Sequence, residues 1–245
     1  MKRLLDVLLS AAALIVLSPL LSLAALGVWL ADRSPILYRA RLTGRHGRPF
    51  TMYKLRTMRV DHGAFQSVIT ADQDPRVFRF GAWLRRAKVD ELPQLLNVLR
   101  GEMSIVGPRP EHPSIVSRHY GPEHRELLGV RPGLTSPGTL YDYAHGDAIV
   151  GRSDPERGYV ERLLPLRLAL DLVYVRQASL AYDAALVART VRLIAATVFG
   201  RRSAGDTPEL TQARGHADED GGNHAARGSQ PHGSTRLHDH GIPTI

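Results

Sequence analysis

The sequence predicts a helix-dominated α+β protein: an apolar N-terminal membrane segment, one short β-hairpin, then a series of helices. Three observations predict it. Val7 to Ala31 carries no charge over 25 residues. Two short β-prone stretches flank a Gly-containing loop. Apolar residues then recur at helical spacing between Phe80 and Phe199. The 245 residues suit one compact domain with appendages. With no cysteine, disulfide frameworks and thiolate metal sites are excluded. A net charge of +8 fits anionic headgroups, a phosphorylated substrate or nucleic acid. Aromatics make up only 6%, too few for the stacking platforms of a single-strand binder.

As a continuous helix, Val7 to Ala31 extends roughly 37 Å, enough for a bilayer core of ~30 Å. A cleaved signal peptide fits poorly, because the apolar run is long and no clear A-x-A site follows it. Two readings remain. A straight transmembrane helix is the simpler one. Against it, Ser18-Pro19 lies at the centre, where proline removes a backbone donor. Both flanks are also basic: Lys2 and Arg3 before, Arg33, Arg39, Arg41, Arg45, Arg48, Lys54, Arg56 and Arg59 after. Positive flanks stay cytoplasmic, so both ends prefer one side. A helix broken at Ser18 and Pro19 that enters and leaves by one leaflet satisfies both facts. The Ser18 hydroxyl is then a local partner for a carbonyl freed by Pro19. Asp6 and Asp32-Arg33 are expected at the interface in either case.

Ile36 to Tyr38 and Phe50 to Tyr53 read as a hairpin around Thr43-Gly44-Arg45-His46-Gly47. Residues 60 to 75 are polar and irregular. Phe80 to Lys88 reads as a helix with Phe80, Trp83, Leu84 and Ala87 on one face. A second helix is expected to begin at Asp90, a good N-cap, with Pro93 in its first turn and Gly101 as its stop. Residues 122 to 130 form a short helix, 155 to 176 a longer one, and Tyr182 to Phe199 another. The last suits either a core or a membrane surface. From about Arg201 the composition turns to Gly, His, Asp, Arg and Ser, and a disordered tail is expected. Five of the eleven histidines fall there.

The chemistry concentrates at Asp90 and Glu91. Asp90 alone reads as a helix cap. Glu91 beside it adds nothing to capping, and paired carboxylates suit Mg²⁺ with phosphate co-ligands. A carboxylate held ionised at a helix N-terminus is also able to attack phosphorus. Arg109, between two prolines in Gly107-Pro-Arg-Pro110, offers a guanidinium on a fixed backbone. Lys54 and Arg56 alternate with apolar residues and project to one face, as a phosphate clamp or a solvated face. Arg85 and Arg86 lie shortly before Asp90. No Walker loop and no G-x-G-x-x-G run is present, so P-loop and Rossmann readings lack support.

These residues, with Lys2-Arg-Leu-Leu-Asp6, Ser34-Pro-Ile-Leu-Tyr-Arg39, Pro49-Phe-Thr-Met-Tyr-Lys-Leu-Arg-Thr-Met58, Asp74-Pro-Arg76, Asp90-Glu-Leu-Pro-Gln-Leu-Leu-Asn-Val98, Val106-Gly-Pro-Arg-Pro110 and Arg131-Pro-Gly-Leu-Thr135, form a pattern. In order and spacing, across residues 1 to about 199, the chain resembles the bacterial sugar transferases, in their small monotopic phosphoglycosyl transferase form. The resemblance implies a re-entrant, Pro-broken membrane helix (1–33), a small cytoplasmic catalytic domain with a short β-hairpin and amphipathic interface helices (34–200), and a tail (201–245). It implies a cytoplasmic membrane enzyme that moves sugar-1-phosphate from a UDP-sugar to a polyprenyl phosphate such as undecaprenyl phosphate. The transfer would run through an aspartyl phosphosugar on Asp90, with Glu91 assisting and both carboxylates near Mg²⁺. Lys54, Arg56, Arg85, Arg109 and Arg131 would hold phosphates or substrate. UMP would leave, and a surface glycan such as an exopolysaccharide or capsule would be started. The expected partners are the two substrates and the inner leaflet, with a homo-oligomer left open and nucleic acid not expected. The chain departs from the pattern at Ser136-Pro-Gly-Thr-Leu140, where many members carry Gly, an aromatic or aliphatic residue, and Gln; this bears on nucleotide or sugar specificity. The rival reading is a catalytically silent membrane scaffold for later glycan-assembly enzymes.

Overall fold

The computed structural model describes residues 1–33, 35–59, 74–151, 154–200 and 208–211. Most of the stretch read as polar and irregular, and most of the tail, lie outside the described residues.

Helix α1, Lys2–Asp32, is one long apolar helix that runs through Pro19 without interruption. Pro19 has no N–H for the Ile15 carbonyl, and the Ser18 hydroxyl donates to that carbonyl at 2.8 Å. The expected break at Ser18 and Pro19 is thus bridged locally. Arg33 ends the helix in a left-handed conformation. Both ends of α1 pack on the rest of the chain, while Ile15, Val16, Ser18, Pro19 and Leu20 between them are exposed.

At the N-terminal end, Lys2 pairs with Asp183 at 2.5 Å. Arg3 donates to the carbonyls of Val98 and Leu99 at 2.6 and 3.0 Å, satisfying the end of a later helix. Asp6, expected at a membrane interface, is buried instead. It accepts from Ser104 Oγ at 2.8 Å and the Ile105 N–H at 3.1 Å, which offset the burial of its carboxyl. At the other end, Ala24 and Val28 enter a cluster with Leu55, Phe78, Leu84 and Val89.

Strands β1 (Leu37–Thr43) and β2 (Pro49–Leu55) form the hairpin, in register from Leu37 opposite Leu55 to Thr43 opposite Pro49. It is longer than the β-prone cores alone suggest. Helix α2, Arg79–Arg86, follows and approaches β2's end closely. A Cβ on Gly81 would lie 2.3 Å from the Thr57 carbonyl oxygen, so only glycine permits the contact.

The helix expected from Asp90 begins later. Val89–Glu91 is a 3₁₀ turn, Pro93 is the cap position, and α3 spans Gln94–Arg100 with no side-chain cap. Gly101 stops it in the left-handed region, φ 84°, as expected. Strand β3 (Ser104–Val106) pairs in parallel with β4 (Gly133–Thr135). Between them lie α4 (Pro113–His119) and α5 (Arg125–Leu128).

Helix α6, Pro137–Val150, was not anticipated. Ser136 caps it by accepting from the Thr139 N–H at 2.9 Å, and Pro137 occupies the first turn. Then come α7 (Pro155–Gly158), a π turn over Tyr159–Leu163, α8 (Leu164–Gln177) and α9 (Leu180–Val198). Ile115, Leu127, Val150, Leu163, Leu164 and Leu168 make the helical core. Two residues of the segment read as tail, Glu209 and Leu210, also dock. Glu209 accepts from Arg189 at 2.6 Å and from the Tyr182 hydroxyl at 2.7 Å, and Leu210 packs on Leu170.

Candidate active site

The 3₁₀ turn Val89–Glu91 follows α2 directly. Val89 is buried in the cluster shared with α1 and β2, and this anchors the two carboxylates behind it. Both Asp90 and Glu91 are buried, at 6% and 8% exposure.

Glu91 is held on both oxygens. Lys54 Nζ, from β2, lies 2.8 Å from Oε1, and Arg109 Nη2 lies 3.8 Å from the same oxygen. The Tyr143 hydroxyl, from α6, donates to Oε2 at 2.6 Å. Burial alone would raise the Glu91 pKa. Lys54, then Arg109 and Lys88, outweigh it and hold the carboxyl well below the usual range. Glu91 is therefore an anion locked in place.

Asp90 is the opposite case. Its Oδ1 is buried with no protein partner. Burial, reinforced by the neighbouring Glu91 charge, pushes its pKa up to about 6, against the pull of Lys54, Lys88 and Arg85. The expectation of a carboxylate stabilised at a helix start is corrected: Asp90 precedes the helix, and cations, not helix N–H groups, surround it. At neutral pH it is largely ionised, with one oxygen uncommitted.

The cations come from four elements. Lys54 is on β2. Arg85, on α2, donates to Thr57 Oγ1 at 2.9 Å and reaches Met58 Sδ at 3.3 Å, within electrostatic range of Asp90. Arg109 lies after β3, and its backbone N–H donates to Asp171 Oδ2 at 3.3 Å. Asp171 Oδ1 also accepts from the Gly138 N–H at 3.0 Å, so α8 holds the Arg109 turn and the start of α6 together. Lys88 precedes the turn, and its ammonium lies 3.5 Å from the Tyr143 ring centroid.

Two expected residues lie apart from this cluster. Arg56 lines a groove of about 950 Å³ together with Leu14, Leu21, Ala25, Ile36, Arg39 and Leu96. Arg131 donates to the Gly101 carbonyl at 2.8 Å and so braces the end of α3.

Sequence reasoning missed Lys88, Tyr143 and Asp171. Lys88 stands two residues before Asp90 but reads as the polar end of a helix. Tyr143 could have been found through Ser136-Pro137, a cap followed by a first-turn proline. Nothing local marks Asp171, whose hydrogen bonds from the Gly138 and Arg109 N–H groups span 33 and 62 residues.

Among the described residues, no group of three or more His, Asp and Glu side chains gathers as a metal site. The donor set nonetheless fits an ion that takes most ligands from phosphate and water. Asp90 Oδ1 is an open, buried oxygen, whereas Glu91 has both oxygens engaged.

The arrangement is one uncommitted carboxylate oxygen in electrostatic range of Lys54, Lys88 and Arg85, next to a second carboxylate paired with Lys54 and Arg109. It suits attack on an electrophile that carries several negative charges.

Comparison with known proteins gives one family. The profile described as bacterial sugar transferase matches residues 1–197. A UDP-glucose:undecaprenyl-phosphate glucose-1-phosphate transferase of Caulobacter vibrioides is 39% identical over 193 residues, covering 78% of this chain and 68% of that protein. The exopolysaccharide production protein PSS of Rhizobium leguminosarum bv. phaseoli is 37% identical over 199 residues, covering 78% and 93%. A UDP-glucose:undecaprenyl-phosphate glucose-1-phosphate transferase of Xanthomonas campestris pv. campestris is 38% identical over 211 residues, but the match spans only 40% of that longer protein.

Proposed function

The chain belongs to the bacterial sugar transferase family, and on that premise we propose that it transfers sugar-1-phosphate from a UDP-sugar to undecaprenyl phosphate, initiating exopolysaccharide synthesis. The observation that carries the chemistry is Asp90 Oδ1, buried and unpartnered, with Lys54, Lys88 and Arg85 in electrostatic range and Arg109 on the adjacent Glu91.

A carboxylate oxygen of Asp90 attacks the sugar-bearing phosphorus. The new O–P bond forms as the bond to the bridging oxygen breaks, and UMP leaves with that electron pair. In the second half, an oxygen of undecaprenyl phosphate attacks the same phosphorus and returns the electron pair to Asp90. The product is an undecaprenyl-diphosphate sugar. Phosphoryl transfer of this kind needs positioned cations more than elaborate acid–base groups. Glu91, clamped as an anion, orders Lys54 and Arg109 at fixed positions and needs no proton of its own. Asp90 would be the residue that helps hold Mg²⁺, which would supply charge neutralisation for the donor's diphosphate.

The membrane arrangement follows from α1. Its two ends pack on one domain, and the exposed stretch around Ser18 and Pro19 lies between them. A helix that crossed the bilayer fully would carry one end away from that domain. We therefore assign residues 1–33 as a re-entrant anchor and 34–200 as the catalytic domain at the cytoplasmic face, with 201–245 as an appended tail. The groove beside α1 suits an isoprenoid chain, because its walls are mostly apolar.

The test is intact-protein mass after incubating detergent-solubilised protein with UDP-sugars and Mg²⁺, without lipid acceptor. A gain of one phosphosugar, localised to Asp90, is expected. UMP release only after lipid acceptor is added would argue for direct transfer and remove Asp90 as nucleophile.

A further inference from the structure

One cation of the cluster is engaged differently from the rest. Lys54 is committed to Glu91, Arg109 faces the same carboxylate, and Arg85 donates to Thr57 and Met58. Lys88 has no side-chain hydrogen bond or ion pair among the described residues. Its ammonium rests on the face of Tyr143, 3.5 Å from the centroid.

Its backbone is unusual as well. Lys88 has φ 55° and ψ 20°, in the left-handed region that glycine enters freely and a long side chain does not. Among the described residues the other two non-glycine cases are Arg33, which ends α1, and His46, in the hairpin loop; Lys88 likewise follows the end of α2. Lys88 is held there by buried neighbours, Leu84 and Val89, and by its own N–H donating to the Arg85 carbonyl at 3.2 Å. A left-handed residue just past a helix end is a common way to stop the helix, and here it carries a cation to the site.

Tyr143 links this lysine to the carboxylates. Its ring seats the Lys88 ammonium, and its hydroxyl holds Glu91 Oε2 at 2.6 Å. One side chain of α6 thereby sets the positions of an anion and a cation on either side of Asp90's turn.

We propose that Lys88 is the donor-binding cation of this site, held ready on the Tyr143 ring for the diphosphate of the nucleotide sugar; the inference rests on the reaction assigned above. A phosphate oxygen is a stronger partner for an ammonium than an aromatic face. Lys88 engages it without breaking an ion pair, whereas Lys54 would have to abandon a buried carboxylate. A compact ammonium with three donors also contacts phosphate while keeping one side on the ring.

The test is the donor-concentration dependence of phosphosugar–enzyme formation, read by intact mass on the full-length solubilised protein. UDP-glucose is the first donor and UDP-N-acetylgalactosamine the second, with no lipid acceptor. Lys88→Met keeps an unbranched stem on the ring and removes the charge. It is expected to raise the half-saturating donor concentration about ten-fold or more, the worth of a charge-assisted hydrogen bond, with the labelled fraction retained. Lys88→Arg is expected to restore most of that loss. Tyr143→Phe keeps the seat and frees Glu91, so labelling should slow without a shift in half-saturation, whereas Tyr143→Leu should shift it. An unshifted Lys88→Met curve overturns the inference, as does a smaller labelled fraction with half-saturation unchanged, which would make Lys88 a packing residue. If the wild-type protein neither labels nor releases UMP with either donor, the assigned reaction falls and this inference with it. Wild-type labelling with an unshifted Lys88→Met curve sinks this inference alone.

Discussion

Lys54 Nζ stands 2.8 Å from Glu91 Oε1, and the pair is nearly closed to solvent, with side chains 17% and 11% exposed. Removing one partner strands the other charge, which costs more than the pair itself contributes. Lys54→Met is expected to destabilise the protein by about 3 kcal/mol. The double variant Lys54→Met with Glu91→Gln should lose less than that single one. Denaturant unfolding in detergent checks this; a double variant weaker than the single would rule out a coupled pair.

Asp90 sets a pH dependence. Its carboxyl is pushed up to about 6 by burial and the Glu91 charge. Attack needs the ionised form, so the rate of phosphosugar labelling should fall as pH drops through about 6. A labelling rate flat between pH 5 and 8 would contradict this.

The same shift bears on stability, with opposite consequence. Folded Asp90 holds its proton more tightly than the unfolded chain does. The stability this contributes is complete below the ordinary value of 3.8 and is lost as pH rises through about 6. Asp90→Asn should therefore abolish labelling yet raise stability at pH 8, by an amount on the order of 2 kcal/mol, and change it little at pH 4. Melting curves at the two pH values read the difference.

Both ends of α1 are expected on one side of the membrane. The chain has no cysteine, so single probes are clean. Leu4→Cys and Arg33→Cys should both resist an impermeant thiol reagent added from the periplasmic side of intact cells. Modification of Leu4→Cys alone would mean that the helix spans.

Gly81 lets α2 lie against Thr57, where Arg85 finds its hydroxyl partner. Gly81→Ala drives a methyl group into a backbone carbonyl and should cost about 1–3 kcal/mol while displacing Arg85. Stability to unfolding and labelling rate should fall together; normal values for both would show that the approach can relax.

Much of this architecture was readable locally. The hairpin follows from β-prone runs around a Gly-containing loop, and α9 follows from its apolar stripe. Gly101 stops α3 because its φ of 84° suits glycine, and Ser18 answers the carbonyl that Pro19 leaves open. The Asp90-Glu91 pair and Arg109 stood out because their residue types are chemically costly unless used. Each of these rests on short-range rules: what one backbone position tolerates, or what a side chain reaches within a turn.

The remainder was decided by packing across long separations. Asp6 carries no local sign of burial; Ser104 and Ile105, nearly a hundred residues on, make it tolerable. Helix α6 mixes Tyr141, Asp142, His145 and Gly146 with few aliphatics, so no apolar stripe announces it, and it is fastened by Asp171. Asp90 looked like a helix cap because local rules place a cap there. The tertiary structure instead buries it before the helix, so desolvation rather than the helix dipole sets its proton affinity. The sequence by itself marked Asp90, Glu91, Lys54, Arg85 and Arg109, while Lys88 and Tyr143 joined them only through packing. Which of them is locked, which is left open and which cation stays uncommitted depended on desolvation and pairing between distant elements, and those energies exist only once the chain is folded.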